Sequence, residues 1–504
     1  MIDLLIAISP IILIIILLFI LKRPIIQAAP ITFFYTLILA TIKTNIIPTT
    51  WELETKYALA SIIKGTLTAI DITIIIFGAI FFLEFLKETK LIQSIEHYLS
   101  TVSKDQRIQG IILTWFLCSF IEGTAGFGTP AVIVAPILVG IGFLPVTAVA
   151  ISLIADSTAV TFGAVGTPIR IGFAGLPTAT VPFYAALINL IAGLIVPIAI
   201  LVIIVYSNKN KSIKSVTEML PFAIWAGIVL LVPYFLSTYL GQEFPSLIGP
   251  LIGLATIIYT TKKGFLVPKN TWRFHEKKTK LEKHTKTKTF LPHILLIILL
   301  LGGKYIFPKY SVNIITPITH TINTYNPGIL FILTTLIFAA LYPDTRNKII
   351  NSIKESTKIL YKPFIAILFI VSFVQIMVNT NLNMTGTQSM ITIIASNLQT
   401  KALPLIAPII GAFGAFISGS ATISNLLFGQ FQYTAATTLG ISTAIILALQ
   451  VIGASIGNMI SLTNIVAAQA TVKIQGKDAE IIKKTIIPCI IYLILTGIIG
   501  FLIL

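Results

Sequence analysis

The sequence predicts an all-α polytopic membrane fold, one integral domain over residues 1–504, built as an inverted repeat around two broken or re-entrant helix elements. Three observations carry that expectation. Apolar runs of about 20 residues, the length that crosses a bilayer, recur along the whole chain. Two of those runs dissolve into glycine and small polar residues at mid-length. The order of elements around the first break then recurs around the second, at an offset of 296 residues that holds for both Glu122/Ser418 and Thr147/Thr443.

Composition fixes the class before any motif is read. Of 504 residues, 56% are hydrophobic and 11% charged, and mean hydropathy is +0.96; an average soluble domain carries roughly 25% charged residues. The net charge is +17, but its placement argues against nucleic acid. Ten Lys/Arg fall between Lys262 and Lys288, opposed only by Glu276 and Glu282, and the remaining clusters sit at Lys22-Arg23, Lys209–Lys214, Lys348–Lys362 and Lys473–Lys484. These are short links between apolar runs, where positive charge marks the cytoplasmic face of a plasma (inner) membrane. Segment 262–288 is therefore expected to be the main cytoplasmic loop, with anionic membrane lipid as a secondary contact. Both cysteines, Cys118 and Cys489, lie inside apolar runs and supply neither a disulfide framework nor metal spacing. No cofactor or metal is expected.

Taken in order, residues 4–21 form a first span whose positive charges, Lys22 and Arg23, follow its core, the reverse of a cleavable leader. A second span (27–45) leads to an external Trp51-Glu52-Leu53-Glu54, and a third (60–86) returns to Lys87 and Lys90 inside. Leu91–Leu99 reads as an amphipathic interfacial helix. Next come an apolar arm (109–121), a break (122–130) holding Glu122, Gly123, Gly126, Gly128 and Pro130, and a second arm (131–143). Glycine permits sharp turns and close approach, and proline ends a helix. Inside a bilayer such broken backbone is tolerated only where protein or a water-filled cavity covers it. From Pro145 a span runs through Asp156 to a further break, Gly163 to Arg170. Ordinary spans follow near 182–205, 220–238, 245–260, 290–307 and 327–342.

The last third repeats this order: a span (363–379), an amphipathic stretch (389–398), an arm (403–417), a small-residue break (416–425), and a span opening at Thr443-Ala444 that ends in Gly453 to Ser461. Repeat 1 covers 60–170 and repeat 2 covers 357–470. By the positive-inside rule the first starts outside and the second inside, which makes the pair inverted. The count is about 12 full spans plus two hairpins, with both termini outside.

At the two breaks the chain resembles the lactate permease family. The resemblance rests on F-I-E-G-T-A-G-F-G-T-P (120–130), L-I-A-D-S-T-A-V-T-F-G-A-V-G-T-P-I (153–169), G-A-F-I-S-G-S-A-T-I-S-N-L-L-F-G-Q-F-Q (414–432), G-N-M-I-S (457–461) and G-K-D-A-E (476–480). It implies a permease that moves L-lactate, glycolate and related 2-hydroxy monocarboxylates together with protons. This chain departs from the family pattern at three positions: Ala421 stands where members usually carry an acid, Asn458 where they carry lysine, and Asp156 where they carry asparagine.

A charged group at membrane depth costs about 2.5–3.5 kcal/mol even on the lenient scale, so it must be paired, hydrated or useful. Glu122 is the first candidate for proton or cation coupling; the alternative is a structural acid that accepts hydrogen bonds from free N–H groups of the break. Asp156 either coordinates a cation, pairs with Arg170, or is a satisfied hydrogen-bonder. Arg170 either grips a substrate carboxylate as a fork or sits at the outer interface. Thr124, Gly126, Gly128, Thr129, Ser418, Ser420, Ser424 and Asn425 offer hydroxyls, an amide and backbone N–H groups at half-helix N-termini, which hold carboxylates without side-chain charge. Asp71, Glu84, Lys304 and His293 are read as helix-end residues, and Gln375 and Gln450 as interhelical hydrogen-bonders. No G-x-S-x-G, H-E-x-x-H or Walker A lysine occurs. The expectation is a non-enzymatic secondary transporter of a small organic anion with a coupling proton. The alternatives are a sodium- or other cation-coupled anion carrier, a cation/proton antiporter and, more remotely, a non-transporting membrane protein.

Overall fold

The computed structural model describes residues 2–42, 51–126, 128–208, 212–272, 286–307, 309–397 and 400–504. Residues 273–285 of the expected basic loop 262–288, including Glu276 and Glu282, lie outside the described residues, as do Lys209, Lys211 and Phe127 of the first break.

Helices α1 (Ile2–Ile15) and α2 (Ile25–Thr41) precede α3 (Thr55–Glu88) and the short α4 (Leu91–Ser100). Helix α5 (Gln106–Ala125) is capped by Asp105, whose carboxylate accepts from Arg107 N at 2.8 Å. After a three-residue break come α6 (Thr129–Gly140), α7 (Pro145–Ala159) and α8 (Gly163–Arg170), then α9 (Val181–Tyr206), α10 (Ile213–Leu236) and α11 (Pro245–Lys262). The second part of the chain contributes α12 (Lys286–Ile306), α13 (Pro327–Leu341), α14 (Ile349–Asn379), α15 (Met390–Asn397), α16 (Leu403–Ser418), α17 (Ala421–Leu439), α18 (Thr443–Gly457), α19 (Leu462–Thr471) and α20 (Asp478–Ile503). Prolines open α7, α11 and α13, where the first-turn N–H has no partner to lose.

Among the described residues nine helices are long and apolar enough to cross a membrane, and shorter apolar helices, including α6 and α16, flank the breaks. The chain is a multi-pass membrane protein. The all-α expectation needs one correction. Between α12 and α13 the chain forms an antiparallel hairpin, β1 (Lys309–Ile315) with β2 (Ile318–Asn323), running into Asn326, the cap of α13. The segment 309–323 is rich in β-branched residues and too short for a span, and it packs on α3.

The order long helix, short helix, helix–break–helix, helix, 3₁₀ turn, short helix, 26-residue helix occurs twice, from α3 to α9 and from α14 to α20. Helices α3 and α14 pack on each other, α2 packs on α14, and α13 packs on α3. Small residues allow these approaches: Gly65 of α3 lies on Ser372 of α14, and Gly453 and Gly457 of α18 lie on Pro408 and Ala412 of α16. Near the start of α5, the fully buried Arg107 pairs with Asp105 (2.8 Å), donates to Asn270 O (2.6 Å) and stacks on Trp272. That cluster ties the near end of the basic segment to the helical body.

Candidate functional site

The site grows from how α5 ends. Its 20 residues span about 30 Å, and between Ile112 and Cys118 it widens into a π-helical stretch, a feature often found at functional positions. It stops where Gly126 takes φ +63°, ψ −162°, a conformation open to glycine alone. Thr129 Oγ1 closes the turn by donating to Gly126 O at 2.9 Å. The break is thus 126–128, shorter than the 122–130 expected. Glu122 and Thr124 lie in the last turn of α5, Thr129 opens α6, and the Thr124 hydroxyl turns onto its own helix at Ile121 O (2.9 Å).

Helix α7 brings a second acid to this end. Glu122 and Asp156 are 2% and 4% exposed, and their carboxyl groups are within hydrogen-bonding reach of one another. Ser119 lies one turn before Glu122 and Ser152 one turn before Asp156, on the same helical faces. Among the described residues Glu122 Oε2, Asp156 Oδ1 and the hydroxyls of Ser119 and Ser152 have no hydrogen-bond partner. Two carboxyl groups side by side and out of water are costly unless a proton or a cation lies between them.

After α7 and the 3₁₀ turn Val160–Phe162, the backbone turns left-handed at Ala164 (φ +41°), Val165 (φ +58°) and Gly166 (φ +76°). For Ala and the β-branched Val this is strained, at about 1–3 kcal/mol each. The turn sets Gly163 directly against Glu122 Oε1, so that a Cβ there would overlap the carboxyl oxygen. It also redirects α8, and the possible Asp156–Arg170 pair does not form. Arg170 instead pairs with Glu243, donates to Tyr325 O at 3.4 Å and stacks on the Tyr325 ring. Burial pushes the Tyr325 phenol up to about 12, against the opposing pull of the Arg170 guanidinium.

The second break is tighter. Helix α16 ends at Ser418, Gly419 takes φ +73°, and Ser420 caps α17 by accepting from Ile423 N at 3.3 Å. Ser418 Oγ donates to Gly414 O at 2.7 Å. Farther along, Ser424 donates to Gly411 O (2.8 Å) and Asn425 donates to Pro168 O (2.9 Å), while Gln450 donates to both Ser424 Oγ (3.2 Å) and Asn425 Oδ1 (3.1 Å). The interhelical role expected of Gln450 is therefore observed. Gln375 differs: it lines a cavity, with Oε1 unpartnered among the described residues.

The two breaks meet. A cavity of about 20 Å3 is walled by Glu122, Gly126 and Ala164 on one side and Gly419, Ser420 and Thr422 on the other. Ala421 and Asn458 also face it, and Asn458 Oδ1 has no partner among the described residues. A Cβ on Gly128 would come within 2.9 Å of Asn464 in α19, so the start of α6 rests on the second part of the chain. The cavity has room for a water molecule or an ion and is well below the roughly 300–1,000 Å3 of a ligand pocket. Arg170 lies outside it, between two larger cavities of about 300 and 700 Å3. Ser119, Ser152, Thr167 and Thr422 were not singled out from sequence; the first two were legible as hydroxyls one turn from each buried acid.

The family profile described as L-lactate permease matches residues 3–312 and 310–504. A candidate L-lactate permease of Haemophilus influenzae is 32% identical over 460 residues, 83% of this chain and 84% of that protein. A glycolate permease of Escherichia coli is 25% identical over 462 residues, 80% of this chain and 79% of its own. In three dimensions the chain is similar to the YdaH transporter of Alcanivorax borkumensis, with a TM-score of 0.51 at 12% identity, over 94% of this chain and 98% of that one.

Proposed function

The chain belongs to the L-lactate permease family, and from that premise we propose that it is a secondary transporter of small 2-hydroxy monocarboxylates, L-lactate or glycolate, driven by protons. The observation that carries this reading is the meeting of two broken helices from distant parts of the chain around one cavity beside a buried carboxyl. Substrate binds between the breaks, its carboxylate held by N–H groups at the starts of α6 and α17 and by the hydroxyls of Ser418 and Ser420. The cavity must widen to admit it, so the observed arrangement is a closed state of the alternating-access cycle. Thr124, Thr129, Ser424 and Asn425 shape the breaks, and Arg170 receives the anion on its way in. Glu122 carries the coupling proton, with Asp156 as its partner.

In this reading residues 60–170 and 357–470 are inverted repeats that move against other elements in the plasma membrane. Basic links including 262–288 lie in the cytoplasm and both termini lie outside. The twofold order of elements supports it. The chain is read as a carrier without enzymatic activity.

A second reading has its own support. Four oxygens of Ser119, Glu122, Ser152 and Asp156, without a partner among the described residues, are the hard donors that a sodium ion prefers. One experiment separates the two: uptake of labelled L-lactate into proteoliposomes under an imposed proton or sodium gradient, wild type beside Glu122→Gln. Proton-driven uptake that collapses in the variant is expected. Uptake driven by sodium alone would move the coupling ion to the second reading, and equal uptake in the variant would remove Glu122 from coupling.

A further inference from the structure

Beside Arg170 lies a cavity of about 300 Å3. Its walls come from α3, α14, the segment after α8 and the β-hairpin. Lys64 enters it from the third turn of α3. This lysine is partly buried, and among the described residues its ammonium group has neither an ion-pair nor a hydrogen-bond partner. A cation within a membrane-spanning helix is costly when uncompensated, and the nearby acids are already engaged. Asp71, seven residues along α3, is about 10 Å away by helical rise, and its carboxylate meets His320 Nε2 at 3.1 Å. Glu243 is taken by Arg170. The opposite wall adds the buried Gln375, whose Oε1 has no partner among the described residues and can accept only from a donor such as a ligand hydroxyl, and Arg170, whose Nε–H donor likewise has none.

We propose that this cavity is a second anion site, where a small carboxylate is held by Lys64 and the Arg170 edge before it passes to the breaks. The ligand class rests on the reading under Proposed function; the existence of the site rests on the uncompensated Lys64. The volume suits such a ligand, lying at the lower bound of small-molecule pockets, whereas the cavity between the breaks is too small for it in this state. Arg170 would then exchange its contact with Glu243 for the incoming carboxylate, and Asn326 and the His320–Asp71 pair would form the floor. The site stands apart from Glu122 and Asp156 and needs no titration of either.

Thiol protection tests it directly. Cys118 and Cys489 are both buried, so a Thr68→Cys variant puts a single reachable thiol on the cavity wall. L-Lactate and glycolate are expected to slow its modification by a charged methanethiosulfonate. The protection should vanish in Thr68→Cys/Lys64→Gln and return in Thr68→Cys/Lys64→Arg. In otherwise wild-type protein, Lys64→Gln should raise the KM for uptake about tenfold, the worth of one charge-assisted hydrogen bond, with maximal rate and thermal melting nearly unchanged. Protection that is absent, or that persists without the lysine charge, overturns the site. If wild type transports neither acid yet Thr68→Cys is protected in a Lys64-dependent way, the site stands and the proposed function falls.

Discussion

The two breaks share one construction and differ in what they bury. At the first, two carboxyl groups face each other beside the hydroxyls of Ser119 and Ser152, which have no hydrogen-bond partner among the described residues. At the second, the side chains are neutral, and Ser418, Ser420, Ser424, Asn425 and Gln450 are joined to backbone or to one another at 2.7–3.3 Å. A satisfied neutral network is rigid and specifies one arrangement. A pair of acids in contact is stable only for as long as something neutralises it. Under the proposed function this difference is a division of labour, with charge movement assigned to the first break and geometry to the second.

The largest effect expected from that division is in Glu122→Gln. The amide keeps the shape of the side chain and removes its charge, so gradient-driven L-lactate uptake should be abolished while the protein elutes and melts as wild type. The aligned residue of the second break is Ser418, and Ser418→Ala should keep gradient-driven uptake. Proteoliposome uptake run side by side checks both, and gradient dependence lost equally in the two variants would break the comparison.

Next in size is Gly163→Ala. Its new methyl would overlap Glu122 Oε1, and forced overpacking costs about 1–3 kcal/mol. Thermal melting in detergent should fall, and coupled uptake should fall with it, because the carboxyl pair must shift. An alanine accepted with unchanged melting would mean that Glu122 is not held against the left-handed turn. Asn425→Ala sharpens the other side. It leaves Pro168 O and Gln450 Nε2 short of a partner, at about 1–3 kcal/mol, and should lower melting while any remaining uptake keeps its gradient dependence.

How much of this was legible depended on which physical signal each feature leaves. The apolar helices, the two breaks and the buried position of Glu122 at the first were readable because apolar runs, glycine clusters and lone acids in them are local signals. The twofold order of elements was readable from the spacing of Thr147-Ala148 and Thr443-Ala444. The edges of the breaks were not: the helix continues through Glu122 to Ala125, because hydrogen bonding persists until glycine alone can take the next backbone angle. The left-handed run Ala164-Val165-Gly166 opposes the preferences of its own residues and depends on tertiary packing, so nothing local announces it. For the same reason the Asp156–Arg170 pair failed and Glu243, in a loop that sequence reading passed over, took its place. Lys64 was hidden in an otherwise ordinary span, where a single lysine reads as a snorkelling side chain until a cavity is seen in front of it.

The smallest expected effect is the most discriminating. Ser420 is both the cap of α17 and part of the wall between the breaks. Ser420→Ala removes a cap worth about 1 kcal/mol, so melting should drop slightly. It also removes a hydroxyl proposed to hold the substrate carboxylate, a loss larger than the gain from freeing the Ile423 N–H that Ser420 accepts, so the KM for L-lactate should rise modestly. Gradient dependence should be untouched, since no charge has changed. A rise in KM with coupling intact keeps recognition at the second break and proton movement at the first. Loss of gradient dependence in Ser420→Ala would instead make the two breaks one coupled unit, with the carboxyl pair responding to the order of a helix cap on the far side of the cavity.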